Sequence, residues 1–293
     1  MDVSVILVSY NTKNLTKDCL NSIFNNTKDL NFEVFVVDNN SKDGTCEMIE
    51  NDFPQVHLIK NAENKGFGSA NNIAIKNSNA KYVFCLNTDT LLIDNTIKYF
   101  FDFMEKDENQ NIAVCGSQLL NADRTNQHSC GNFPSLFRII STLIAFNILF
   151  PKLYYEKFLK IKNKNEFYPY KVDFVTGADL FIRKEILEKS GLFDEDFFMY
   201  YEDTELQHRI NKLGYSSFII PTINIVHYCG VPKKDIPLEK FKVMRQSELI
   251  YFEKCYGKSV RKFVKLLYLS RSILNIMISK RYIENIKMHL LLK

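Results

Sequence analysis

No CxxC pair, no Cys/His arrangement suited to zinc, no glycine-rich nucleotide fingerprint and no apolar run of membrane-spanning length occurs in this sequence. The seven cysteines, at 19, 46, 85, 115, 130, 229 and 255, are odd in number and scattered. That excludes a complete disulfide framework and suits free thiols in a reducing compartment. Cys85 and Cys115 lie in apolar runs and read as core. A strand-like run begins by residue 3, leaving no room for a signal peptide, so cytoplasmic chemistry is expected. The most apolar stretch, LFRIISTLIAFNILF (136–150), carries only Arg138 and falls short of the roughly 20 residues a span needs. It reads as a buried or interfacial helix. With neither GxGxxG nor GxxxxGK present, neither a dinucleotide fold nor a nucleoside-triphosphatase loop is indicated.

What the chain has is enough apolar material for a large core. At 293 residues, 46% hydrophobic, it can bury about 75% of the surface its unfolded form exposes. Its net charge of +4 is unevenly spread: residues 258–293 hold nine Lys or Arg against one Glu, a local +8, leaving −4 for the rest. That tail interleaves Val260, Val264, Leu267, Leu269 and Ile273 with Arg261, Lys262, Lys265 and Arg271. The pattern fits either a helical pair packed on the domain or a peripheral contact with anionic membrane. A nucleic-acid partner is not expected, because no recognition motif appears and the body is net negative. Nothing in the sequence sets the oligomeric state.

Strand-like runs at 3–10, 33–38, 56–59, 82–87 and 112–119 alternate with helical patterns at 14–26, 69–76 and 93–106, and Thr45 stands where it could cap a short segment. This alternation predicts an α/β fold: a Rossmann-like, mostly parallel central sheet flanked by helices. Beyond residue 120 the rhythm breaks. It returns at 172–187, a strand interrupted by Thr176-Gly177-Ala178, then in an aromatic loop leading to a helix (193–215) and two short strands around Pro221 (216–228). A helix over 237–256 and the basic segment follow. Residues 1–230 are expected to form one domain, with a nucleotide-binding half (1–120) and an acceptor-side half (172–230) sharing a sheet, and 231–293 a basic helical C-terminal extension.

Ligands of an open parallel sheet bind beyond the carboxyl ends of its strands. Three polar clusters occupy those ends: Ser9-Tyr10-Asn11, Asp38-Asn39-Asn40 and Asn87-Thr88-Asp89. Asp38 can accept hydrogen bonds from a base or a ribose. Asp89, after an apolar strand, is placed to hold Mg²⁺ or Mn²⁺ against a diphosphate, since such cations need only one or two protein carboxylates. The loop NKGFGSANN offers Asn64, Gly66, Gly68 and Asn71 just before a helix N-terminus, with Lys65 facing either phosphate or solvent. A denser acidic cluster surrounds Glu202 and Asp203, among Phe197, Phe198, Tyr200 and Tyr201. It suits a pocket that stacks sugars and contains a base, and it equally suits the start of a helix. His227 ends an apolar run and is either structural or a cation ligand.

In order along the chain, VSVILVSYNT (3–12), VVDNNSKDGT (36–45), NKGFGSANN (64–72), CLNTDT (85–90), TGADLFIRKEILEKSGLFDEDFF (176–198) and YYEDTELQHRI (200–210) resemble family 2 glycosyltransferases of the GT-A fold, in particular the rhamnosyltransferase-like branch. The resemblance implies an inverting, metal-dependent enzyme. Asp38 would hold the nucleoside, Asp89 would be the metal-binding member of a DxD-like motif whose first position is Asn87, and His227 would complete the cation site. Asp203 would be the base with Glu202 as support. Gly177, Ala178 and Asp179 would border donor sugar and acceptor, beside Phe198 and Tyr201. The implied donor is dTDP-L-rhamnose, with another UDP-, dTDP- or GDP-hexose or N-acetylhexosamine as the alternative. The implied acceptor is a growing cell-surface glycan on a polyprenyl carrier. A non-catalytic glycan- or lipid-binding module would be expected to have lost Asp38, Asp89 or Asp203, and all three remain. A donor-making nucleotidyltransferase would carry a basic, glycine-rich loop after the first strand, and none is there.

Overall fold

In a computed structural model, the described residues are 1–143, 146–162, 164–228 and 237–274. Cys229 and the part of the basic tail beyond 274 lie outside them. In chain order the strands are β1 (Val3–Ser9), β2 (Phe32–Asp38), β3 (His57–Lys60), β4 (Tyr82–Asn87), β5 (Thr90–Leu92), β6 (Ile112–Leu120), β7 (Cys130–Gly131), β8 (Tyr170–Val172), β9 (Phe174–Val175), β10 (Asp179–Arg183) and β11 (Ser216–His227). The helices are α1 (Lys13–Asn26), α2 (Thr45–Asp52), α3 (Phe67–Asn77), α4 (Thr96–Glu105), α5 (Leu136–Leu143), α6 (Phe146–Leu149), α7 (Pro151–Tyr154), α8 (Lys184–Lys189), α9 (Glu202–Lys212), α10 (Leu238–Tyr256) and α11 (Lys258–Leu274).

The main sheet has nine strands, ordered β3-β2-β1-β4-β10-β6-β11-β5 with β8 also on β11. Strands β3, β2, β1 and β4 run parallel, as crossover helices between apolar strands require. Both faces of this part are covered. Val3, Val5 and Leu7 enter the core shared with α1, α2 and α4, while Ile6 enters the one beneath α3, α8 and α9. Past β4 the sheet is mixed, because β10 runs antiparallel between β4 and β6. The Thr176–Ala178 turn that starts β10 therefore meets the carboxyl end of β4, where Asn87 N–H donates to Ala178 O at 3.0 Å. A second antiparallel pairing sets Thr90 of β5 opposite His227 of β11.

Two local expectations are corrected. Thr45 does not cap α2: it is the first helical residue, and Asp43 Oδ1 accepts from its N–H at 3.1 Å and its hydroxyl at 2.5 Å. Residues 216–228 do not form two strands. Strand β11 is continuous, with its register shift between Ile220 and Asn224, where Pro221 has no ladder N–H to lose. Of residues 136–150, Leu136–Leu143 (α5) and Phe146–Leu149 (α6) are helical, 144 and 145 lie outside the described residues, and α7 follows. No helix among the described residues is long and apolar enough to cross a membrane.

Helices α10 and α11 close a third core against α5 and the aromatic loop, around Ile139, Phe197, Leu249, Tyr251, Phe252 and Val264. The same helices hold the acidic loop: Lys254 pairs with Asp194 at 2.8 Å and Asp196 at 2.5 Å, and Ser247 donates to Met199 O at 2.7 Å.

Candidate functional site

Register aligns the ends of the parallel strands. Ser9 stands opposite Asp38, and Val8 opposite Asn87, so the predicted polar clusters form one row. Ser9 is fully buried, its hydroxyl 3.1 Å from that of Thr12 and 3.3 Å from that of Thr16. Thr12 in turn lies 3.2 Å from the Thr88 hydroxyl. These hydroxyls tie the β1 and β4 ends together from beneath, and Tyr10 is exposed above them. Asp38 is buried. Its Oδ2 accepts from Ser41 N–H at 2.8 Å, whereas Oδ1 makes no hydrogen bond of ordinary geometry among the described residues. Asn39 is occupied by the scaffold: it donates to Gly66 O at 3.1 Å and accepts from Asn61 at 2.8 Å.

The loop before α3 is shaped by Gly66. Its φ is +82°, and a Cβ there would lie 2.1 Å from Phe198 O, so only glycine fits. Phe67 N–H donates to that same carbonyl at 3.0 Å, which clasps the loop to the aromatic segment before α9. Asn64 Oδ1 accepts from Gly66 N–H at 3.0 Å, Lys65 is exposed, and Gly68 packs under Phe193. Asn71 is buried with Oδ1 unpartnered. Asn72, to which the sequence assigned nothing, clamps Phe193 from both sides, donating to its carbonyl at 2.8 Å and accepting from its N–H at 3.0 Å.

Strand pairing brings His227 to Asp89, with Nε2 3.2 Å from Asp89 Oδ1 and 3.4 Å from Asn87 Nδ2. Gln127 fixes the ring. Its amide nitrogen donates to His227 O at 3.1 Å and Asn121 Oδ1 at 2.9 Å, which turns Oε1 toward Nδ1 at 2.6 Å. Nδ1–H is then the donor, and the Nε2 lone pair faces the Asp89 carboxylate. Two lone pairs at 3.2 Å repel unless a proton or cation lies between them. Ligands of an octahedral Mg²⁺ at about 2.1 Å stand about 3.0 Å apart along an edge, so the pair fits such an ion. No cluster of three or more His, Cys, Asp or Glu that could hold a metal occurs among the described residues, so further ligands must come from substrate oxygens, water or side chains of other types.

Glu202 and Asp203 open α9 after two successive left-handed residues, Tyr200 at φ 71° and Tyr201 at φ 69°. Such backbone costs free energy at each residue and persists where surrounding packing imposes it. Asp203 Oδ2 accepts from Gly177 N–H at 2.6 Å, and Oδ1 from Thr204 N–H at 2.7 Å and the Thr204 hydroxyl at 3.1 Å. A Cβ on Gly177 would lie 3.2 Å from Oδ2. Gln207, one turn on, grips Val175 through its N–H at 2.8 Å and its carbonyl at 2.7 Å, which holds the turn before Gly177 against α9. Glu202 is buried with Oε2 unpartnered. Burial, then the neighbouring Asp203, pushes its carboxyl up to about 8. Burial also raises Asp203, but its hydrogen bonds favour the charged form. Burial thus favours the neutral form of Glu202, while the three hydrogen bonds that Asp203 accepts favour its carboxylate.

The two distant carboxylate groups thus meet through one turn, since Ala178 O binds the Asn87 backbone while Gly177 N–H binds Asp203. Asp179 is completely buried rather than facing a pocket. Its Oδ2 accepts from Ser117 N–H and hydroxyl, both at 2.6 Å, Oδ1 has no partner, and burial raises it to about 7. Phe198 exposes its ring. Tyr201 turns toward the third core, its ring centroid 5.6 Å from that of Tyr251.

Residues 4–191 match the family described as Glycosyl transferase family 2, and the chain belongs to that family. It is an inverting glycosyltransferase of GT-A fold that uses a nucleotide-sugar donor. It is 26% identical over 234 residues to a dTDP-rhamnosyl transferase, RfbF, of Shigella flexneri, covering 78% of this chain and 70% of the relative. It is 25% identical over 210 residues to an N-acetylglucosaminyl-diphospho-decaprenol L-rhamnosyltransferase of Mycobacterium tuberculosis, covering 67% and 66%. Among solved structures, a Pyrobaculum calidifontis mannosyltransferase in complex with GDP-Man and Mn²⁺ has a similar fold, with TM-score 0.58, 18% identity, and coverage of 98% of this chain and 84% of that one.

Proposed function

We propose that the chain transfers L-rhamnose from dTDP-L-rhamnose to a hydroxyl of a growing glycan carried on a polyprenyl lipid, with Asp203 as the base. The observation that carries this reading is the asymmetry of the acidic pair: Asp203 is partly accessible and held by backbone N–H groups, while Glu202 is buried with Oε2 unpartnered among the described residues and its carboxyl raised by burial. Asp203 would take the acceptor proton as the hydroxyl attacks the anomeric carbon from the face opposite the nucleotide, which inverts that centre. Asp38 Oδ1 would receive a donor N–H or ribose hydroxyl. Asp89 and His227 would hold Mg²⁺ or Mn²⁺, which when bound would neutralise charge developing on the departing diphosphate. Asn87, Thr88 and the loop at Asn64–Asn71 would line the donor side. Two relatives named as rhamnosyltransferases support the choice of sugar.

The test is a panel of dTDP-, UDP- and GDP-sugars with Mn²⁺ or Mg²⁺, read as ligand-dependent thermal shift and slow nucleoside diphosphate release. dTDP-L-rhamnose is expected to give the largest response in both. Turnover of a UDP- or GDP-sugar with none from dTDP-L-rhamnose would overturn the donor assignment. For the basic C-terminal segment we propose contact with anionic membrane, resting on exposed Phe263 and Leu266 beside its lysines. Equal co-sedimentation with anionic and neutral vesicles would discard it.

A further inference from the structure

Away from the strand ends, α5, α10 and α11 enclose a cavity of about 310 Å³ whose wall carries Arg138, Arg245 and Arg271 against one carboxylate, Glu248. That carboxylate is engaged, since it accepts from Arg245 and from the Tyr268 hydroxyl. Arg245 lies over the Tyr268 ring, 3.9 Å from its centroid, with Nε buried and unpartnered. Arg138 and Arg271 have no ion-pair partner among the described residues. Three guanidinium groups around one satisfied carboxylate repel one another, and an anion with several oxygens relieves that. Guanidinium forks match phosphate oxygens in pairs.

Two neighbours define the anion further. Tyr201 lines the cavity and in the chain immediately precedes Glu202 and Asp203. Tyr154 reaches the wall from α7, and the adjoining α6–α7 surface leaves Ile148, Leu149 and Leu153 exposed by 74%, 66% and 59%. A soluble surface gains nothing from such side chains, whereas an alkyl chain leaving the cavity would cover them.

We propose that this cavity binds the diphosphate of a lipid-linked acceptor, with its headgroup on Arg138, Arg245 and Arg271 and its chain along Ile148, Leu149 and Leu153. The proposal rests on the transfer reading above and supplies its acceptor end. The full-length protein, in chelator and without nucleotide, is titrated calorimetrically with farnesyl diphosphate and with inorganic pyrophosphate. Farnesyl diphosphate is expected to bind about tenfold or more tightly than pyrophosphate, and Arg138→Gln and Arg271→Gln each to weaken both by about tenfold. Both variants are expected to keep wild-type affinity for dTDP with Mn²⁺, which also reports an intact fold. Unchanged diphosphate affinity in both variants, or displacement of the bound diphosphate by dTDP, would overturn the cavity assignment. Equal affinity for the two ligands would overturn the lipid source and leave a soluble phosphoester. Failure of the wild type to bind dTDP would strike the transfer reading instead.

Discussion

Adjacent in sequence, Glu202 and Asp203 are chemically unlike because Asp203 accepts on both oxygens while Oε2 of Glu202 is buried without a partner among the described residues. Replacing Asp203 by Asn removes the proposed base, so kcat is expected to fall by about 10²- to 10⁴-fold while dTDP affinity by calorimetry stays within error. Near-normal kcat in Asp203→Asn would sink the assignment. In the wild type, transfer should be lost as pH falls through the Asp203 pKa, which burial places above the ordinary carboxylate range. Glu202 has the opposite consequence for stability. Its folded pKa, about 8, exceeds its unfolded value, so its neutral burial is tolerated at low pH and opposes folding increasingly as pH rises from about 4.5 through 8. Glu202→Gln should therefore raise the melting temperature, relative to wild type, more at pH 9 than at pH 5. A pH-independent difference would show that Glu202 is not the protonated partner.

At the scale of elements, the cation pair depends on three segments: Asp89 after β4, His227 ending β11, and Gln127 between β6 and β7. Gln127→Leu should keep the fold and weaken Mn²⁺ affinity about 10- to 100-fold, measured by Mn²⁺ titration in the presence of dTDP. An unchanged titration would leave the ring orientation without consequence. The parallel strands and their polar ends were legible because buried parallel strands are apolar throughout and their ends must change character. The antiparallel insertion of β10, and of β5 on β11, was not, since pairing between segments far apart in sequence leaves no local pattern. For the same reason Gln127, Asn72 and Gln207 escaped notice: each is an ordinary amide whose role exists only once two backbones meet it. Asp43 escaped differently, because Thr45 offered a cap at a position one residue too late.

For the whole molecule, helices α10 and α11 of the C-terminal extension pack on the domain through the third core. They bury Leu249, Tyr251, Phe252 and Val264 and hold Asp194 and Asp196 through Lys254. Deleting residues 238–293 exposes the Phe197 face. Each large apolar side chain so uncovered is worth about 1.5 to 3 kcal/mol, so a large fall in melting temperature with loss of transfer is expected by calorimetry and product assay. Lys254→Ala alone, breaking partly exposed pairs, should cost about 1 kcal/mol or less. The clasp at Gly66, where Phe67 N–H meets Phe198 O, has a consequence for the sequence of events in a turnover. On the proposed roles, the loop that would receive the nucleotide and the segment that would present the base share one hydrogen bond, so seating the first would set the second. Kinetics should be compulsory-ordered: product inhibition by dTDP competitive against donor and mixed against acceptor, with the glycan leaving before the nucleotide.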